Sequence, residues 1–329
     1  VDEWGSQKVA PTTPYEERLI RTHIVKRIPI FWLPALLILA IGCSPPTPNS
    51  PELTGDGGSA TDAGFQLGDP LIRGDDPTPT SATEPGPYDV ETYEQDDGLR
   101  DGPDYAQATI YYPTDARPPF ASVIVIPGYV SAERTIQAWG PFYASHGIVT
   151  MTLGTNSLRD SVDRRRDALL DAIVTLRAEN DREGSPLEGQ LDVERIALSG
   201  WSMGGGGAQL AAVADPTLKA IIGLCPWLQG NALDHPVPVL IFGGSSDFIA
   251  ATDEHGRRHY DNTPETTEKL LFEVEGGGHR GANSPGGGNG DVGRFALSWL
   301  KVFLEEDARY RPLLLVEPES ASSFETNLD

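Results

Sequence analysis

The chain has 329 residues, 39% of them apolar, and its 48 Asp plus Glu against 25 Lys plus Arg give a formal net charge of −23. That excess of acid repels a phosphate backbone and argues against nucleic-acid partners, and its dispersal along the chain reads as a solvated surface. The two cysteines, Cys43 and Cys225, sit in unlike contexts and do not indicate a disulfide framework. Cys225 ends an apolar run beginning at Ala220 and is expected to be a buried free thiol.

In chain order, Arg21, Lys26 and Arg27 precede the wholly apolar run Ile28 to Ile41. That run is long enough for a signal-peptide core and too short to span a bilayer, so export is expected. The following Leu39-Ala40-Ile41-Gly42-Cys43-Ser44 resembles the lipobox of bacterial lipoproteins, although Ala40 and Ile41 depart from its commonest residues. The resemblance implies lipidation of Cys43 and anchoring to the bacterial outer surface or outer membrane; ordinary cleavage, with Cys43 incidental, is the alternative. Residues 44–87 are rich in Pro, Gly, Ser, Thr and Asp and cannot bury enough surface to offset their ordering entropy. They are expected to form a disordered linker between the leader (residues 1–43) and a folded body (residues 88–315), with residues 316–329 as a tail.

Within the body, Ala108 to Tyr112 and Ser122 to Ile126 are β-branched and aromatic runs bounded by Pro and Gly, as strands should be. A helix at Gln137 to Ser145, a strand at Ile148 to Leu153 and a long helix at Asp160 to Glu179 follow. In that helix Leu169, Leu170, Ile173 and Leu176 recur near helical spacing, with Arg164, Arg165 and Arg166 on the polar side. Strands are predicted at Val193 to Leu198, Ala220 to Leu224, Val237 to Phe242 and Lys269 to Val274, and helices at Met203 to Ala214 and about Asp291 to Glu306. Alternating strands and helices imply a mostly parallel sheet covered on both faces.

Gly200-Trp201-Ser202-Met203-Gly204 satisfies Gly-x-Ser-x-Gly between a predicted strand and a predicted helix, the context in which a serine is exposed on a sharp turn of an α/β-hydrolase fold. That fold requires an acid and then a histidine on loops after later strands. Asp247 follows the strand ending at Phe242, and His279 follows the strand ending at Val274. Asp253 and Asp261 lie further from the strand end, and His255 and His259 sit in a polar segment and are expected on the surface.

These residues, with Tyr111-Tyr112-Pro113-Thr114, Pro127-Gly128-Tyr129, Trp139-Gly140-Pro141, Ala144-Ser145-His146-Gly147, Thr155-Asn156-Ser157, Gly204 to Gly207, Pro226-Trp227 and Ala282-Asn283, resemble the bacterial cutinases and poly(ethylene terephthalate) hydrolases. The resemblance implies an α/β-hydrolase fold without a lid domain and a serine esterase acting on esters or polyesters, with no metal or organic cofactor and as a monomer. It implies that the backbone N–H groups of Tyr129 and Met203 form the oxyanion hole. It further implies that Tyr129 and Trp227 grip the acyl part of the substrate and that Ile249 forms an apolar wall; Trp201 is either cleft floor or core. Two departures stand out: the C-terminal segment lacks the family's cysteines, so that end is expected to be looser, and Arg280 follows His279 where a small or aromatic residue is common. A lipase or short-chain carboxylesterase without polymer activity, and a non-catalytic surface-binding lipoprotein, are the competing readings.

Overall fold

In the computed structural model, residues 70–228 and 231–329 are described. The compact catalytic unit spans Gly68–Asp329. Cys43, the segment expected to direct export and the expected linker up to residue 69 lie outside the described residues.

Among the described residues the strands are β1 (Val90–Glu94), β2 (Tyr105–Pro113), β3 (Phe120–Ile126), β4 (Val149–Thr155), β5 (Leu191–Trp201), β6 (Ala220–Leu224), β7 (Val239–Gly244), β8 (Lys269–Val274) and β9 (Ala321–Thr326). They form one sheet in the order β1-β2-β4-β3-β5-β6-β7-β8-β9. The centre from β4 to β8 is parallel, while β1, β2 and β9 pair antiparallel at the two edges.

Among the described residues the α-helices are α1 (Pro79–Thr83), α2 (Trp139–Ser145), α3 (Val162–Asp181), α4 (Met203–Ala214), α5 (Gly256–Asn262), α6 (Asp291–Phe303) and α7 (Arg311–Leu314). Parallel neighbours need crossovers; α2 to α5 supply four of them, and the connection from β6 to β7 holds no helix among the described residues. Every residue of β3 and β4 is buried, as continuous apolar strands covered on both faces should be. Side chains alternate between the faces. Val123 and Val125 join Trp139, Phe142 and Trp299 under α2 and α6, while Ile124 and Ile126 join Leu169, Ile173 and Ala208 under α3 and α4.

The sheet differs from expectation at its edges. β1 reads Val-Glu-Thr-Tyr-Glu with only Tyr93 buried, and β9 reads Ala-Ser-Ser-Phe-Glu-Thr with none of its residues fully buried. Edge strands that face water carry little apolar signal. The domain boundaries therefore move outward. The segment expected to be a C-terminal tail closes the sheet as β9, where Phe324 pairs in register with Phe272 and packs its ring 5.7 Å from that of Phe295. That end is anchored by strand pairing, not loose.

The last part of the expected linker, residues 70–87, also belongs to the body. Leu71 and Ala82 are core residues, and α1 is capped by a reciprocal Thr78–Ser81 box. Arg73 pairs with Glu305 at 3.0 Å and donates to the carbonyls of Arg117 and Pro119. A few anchoring residues outweigh a composition that is otherwise polar.

Candidate active site

Parallel strands direct their carboxyl ends to one edge, where α/β folds place their ligands. The loops after β3, β5, β6, β7 and β8 carry Tyr129, Ser202, Trp227, Asp247 and His279 respectively. The expected site residues are thereby brought to a common edge from segments up to 150 positions apart.

Ser202 sits between β5 and α4 with φ 57° and ψ −123°, a conformation that a residue bearing a Cβ adopts only under strain. The neighbouring glycines make the bend possible. A Cβ on Gly200 would stand 2.2 Å from the Gly204 carbonyl oxygen, and one on Gly204 would stand 2.6 Å from that of Ile126. The Ser202 N–H donates to Leu224, and its carbonyl accepts from the N–H groups of Trp227 and Gly205. The serine is thus tied to β6 and to its own helix. Val130 and Cys225, on adjacent loops, also have positive φ.

His279 Nε2 lies 2.9 Å from Ser202 Oγ, and His279 Nδ1 lies 2.8 Å from Asp247 Oδ2. The other oxygen of Asp247 accepts from the backbone N–H groups of Ile249 and Ala250, each at 2.9 Å. Burial pushes the Asp247 carboxyl up, but the hydrogen bonds from His279, Ala250 and Ile249 outweigh it and hold the group below its ordinary value. An ionised carboxylate only accepts, so Nδ1 of a neutral His279 must carry the proton and Nε2 is left as the acceptor facing Ser202.

The Met203 N–H opens α4 and is among those that an α-helix leaves without an intrahelical partner. Gly128 presses against the serine, since a Cβ there would meet Ser202 Cβ at 2.7 Å. Tyr129, the next residue, is 51% exposed. Met203 thus follows Ser202 in the chain, and Tyr129 follows the glycine that touches Ser202 from the loop after β3.

Trp201 packs in the core against the site histidine. It is buried, its ring centroid lies 5.0 Å from that of His279, and its Nε1–H donates to the His279 carbonyl at 2.8 Å. Trp227 is half-buried and stacks on His255 at 5.5 Å with an interplanar angle of 30°. Ile249 and Arg280 are exposed, and so is Phe248, 94% accessible, which the sequence reading passed over. Its signal was a bare aromatic in the otherwise polar loop Ser245-Ser246-Asp247.

Three sequence expectations fail by burial. His255 and His259 are buried under the loop after β6, and burial with the nearby His255 lowers His259 to about 3. Arg165, expected on the polar side of α3, is completely buried. Cys225 is a buried free thiol as expected, and burial pushes that thiol up.

A family model described as PETase, PET hydrolase-like, matches residues 66–328. The chain is 35% identical over 260 residues to cutinase 2 of Thermobifida cellulosilytica, which covers 77% of this chain and 94% of that protein. It is 33% identical over 276 residues to the bis(hydroxyethyl) terephthalate hydrolase of Streptomyces coelicolor, covering 83% and 84% respectively. A cutinase of Thermobifida fusca is 34% identical over 253 residues, covering 76% and 80%. The strained serine, the imidazole beside it, the carboxylate behind the imidazole and these likenesses agree, and the chain belongs to the PET hydrolase-like family of α/β hydrolases.

Proposed function

We propose that this protein hydrolyses carboxylic esters, polyesters among them, through an acyl-enzyme on Ser202, with Asp247 and His279 completing the triad. The observation that carries this is the unbroken hydrogen-bonded line from Asp247 Oδ2 through His279 to Ser202 Oγ, with both distances under 3 Å. His279 Nε2 takes the Ser202 proton as Oγ bonds to the ester carbonyl carbon. The carbonyl oxygen becomes an oxyanion and is met by the N–H groups of Tyr129 and Met203, each worth on the order of 10²-fold or more in rate.

Collapse of the tetrahedral intermediate breaks the bond to the alcohol oxygen, which receives the proton from His279. Water then attacks the acyl-enzyme with His279 again as base, releasing the carboxylic acid and restoring Ser202. Asp247 holds the imidazole in the tautomer that both steps need.

The substrate reading rests on the form of the cleft. Tyr129, Phe248 and Ile249 are exposed beside the triad and Trp227 is half-buried, so flat apolar or aromatic acyl groups meet a broad, open surface. The relatives named for cutinase and bis(hydroxyethyl) terephthalate hydrolase activity support the same class. Export and lipidation of Cys43 are part of the proposal and rest on residues 21–43 alone. An intact mass of membrane-extracted protein with acyl chains on Cys43 supports that part; an unmodified cysteine at that position rejects it.

The central test is labelling by an alkyl phosphonate, followed by rate measurements on a short nitrophenyl ester, tributyrin and an aliphatic polyester film. Label on the peptide containing Ser202 and release of soluble products from the film are expected. Folded protein without that label would reject the mechanism. Labelled protein active only on the two small esters would reduce the function to that of a carboxylesterase or lipase.

A further inference from the structure

Arg165 is the one fully buried arginine among the described residues, and its guanidinium spends its donors on main-chain carbonyls. Nε donates to Pro127 at 3.0 Å, and Nη2 donates to Gly128 at 2.7 Å and to Leu158 at 3.4 Å. Nη1 reaches the carbonyls of Asp160 and Ser161. Burial lowers this arginine to about 10, partly opposed by the charge of Asp160, so it remains a cation at neutral pH. A buried charge is costly to keep, and a cluster of neutral carbonyls is a modest return for stability alone.

The placement of those carbonyls is the informative part. The Gly128 carbonyl and the Tyr129 N–H belong to the same peptide unit, which is planar and trans, so its oxygen and its hydrogen point in opposite directions. A cation fixed on the oxygen therefore fixes where the hydrogen points. It also draws electron density from the peptide and makes the N–H a stronger donor, as hydrogen bonds in series polarise one another.

The surroundings leave the loop little other freedom. The Val130 N–H donates to the Leu158 carbonyl at 2.6 Å, and a Cβ on Gly207 of α4 would stand 2.9 Å from Arg165 Cβ. Arg165 thus joins the start of α3, the loop after β3 and the helix that follows Ser202.

We propose that Arg165 is a positioning residue for ester hydrolysis, holding and polarising the Gly128–Tyr129 peptide so that the Tyr129 N–H faces the developing oxyanion. The proposal rests on the reading of Tyr129 as an oxyanion donor. It assigns a catalytic consequence to a side chain that touches no substrate.

The test uses the full chain and two variants, Arg165→Gln, which keeps donors but loses the charge, and Arg165→Lys, which keeps the charge. On a short nitrophenyl ester, Arg165→Gln should lose about tenfold to 100-fold in kcat, a part of the value of one oxyanion donor, while KM moves less than about threefold. Arg165→Lys should recover part of that loss. A purely structural role would instead make kcat follow the thermal midpoint, with no advantage for the charged variant, and would overturn the proposal.

A second readout separates the proposal from the reading beneath it. Phenylboronic acid adds to the serine as a tetrahedral anion, and in the unmodified enzyme the Tyr129 amide proton should move downfield on its binding. No movement would sink the Tyr129 reading itself. Movement in the unmodified enzyme and equal movement in Arg165→Gln, with kcat preserved, would leave Tyr129 standing and reject the role of Arg165.

Discussion

The two ends of the central strands are built on opposite terms. At the carboxyl ends, Val130, Ser202 and Cys225 hold positive φ, and apolar side chains such as Phe248 and Ile249 stand in solvent. At the amino ends, just before β3 and β4, residues 70–88 are held down by a buried charge network. Glu305 accepts from both Arg73 and Lys301, and Lys301 also donates to the His146 carbonyl at 2.8 Å. Burial raises the Glu305 carboxyl even with both cations beside it. One end stores strain and exposes surface where ester chemistry needs an accessible hydroxyl and a place to bind, while the other satisfies its charges and keeps the frame in place.

If that division is right, substitutions at the two ends should separate activity from stability. The largest effect belongs to Ser202→Ala, which should lose on the order of 10⁴-fold or more in kcat on a nitrophenyl ester with an unchanged denaturant midpoint. Asp247→Asn should follow at about 10³–10⁴-fold, because a neutral amide leaves His279 in the wrong tautomer. A parallel fall in stability for either variant would blur the division.

At the other end, Glu305→Ala leaves Lys301 and Arg73 without their buried partner and should destabilise by about 3–5 kcal/mol in urea unfolding. Its kcat/KM at 25 °C should hold. Activity falling with the denaturant midpoint would show that the clamp also shapes the cleft.

Mild acid should act on the frame as well. Burial with the nearby Lys301 lowers His146 to about 3, burial lowers His235 to about 4, and burial with the nearby His255 lowers His259 to about 3. Folded-state values below the ordinary histidine value of about 6.5 mean that the unfolded chain takes up protons first. The stability held by these neutral rings is therefore full above that pH and is lost as pH falls toward 3–4, at up to about 1.4 kcal/mol per pH unit for each ring. Urea midpoints measured from pH 7 to pH 5 should fall, and His146→Gln should flatten the slope.

The smallest expected effect is Trp227→Ala, about tenfold in kcat/KM on an aromatic ester and less on an aliphatic one, since the ring supplies contact rather than chemistry. Equal losses on both would argue that Trp227 acts mainly through its stacking on His255.

Much of this was legible in the linear chain because local rules carried it. The elbow glycines, the acid and histidine after successive strand ends, and the apolar runs of β3, β4 and β6 to β8 each follow from steric or burial demands on a few neighbouring residues. The edge strands β1 and β9 escaped because a strand facing water on one side needs few apolar residues. Residues 70–87 escaped because Leu71 is buried in a core built by distant segments and Arg73 acts through its pairing with Glu305, not through composition.

What the sequence by itself determined was the reaction: a serine on a sharp bend, with an acid and a base placed after it in the order the fold requires. What only the tertiary structure decided was which polar side chains are withdrawn from water. Arg165, His255 and His259 read as surface residues along the chain and are buried in the fold. Burial of a charged or titratable group depends on what distant segments pack over it, and no local pattern of side chains records that.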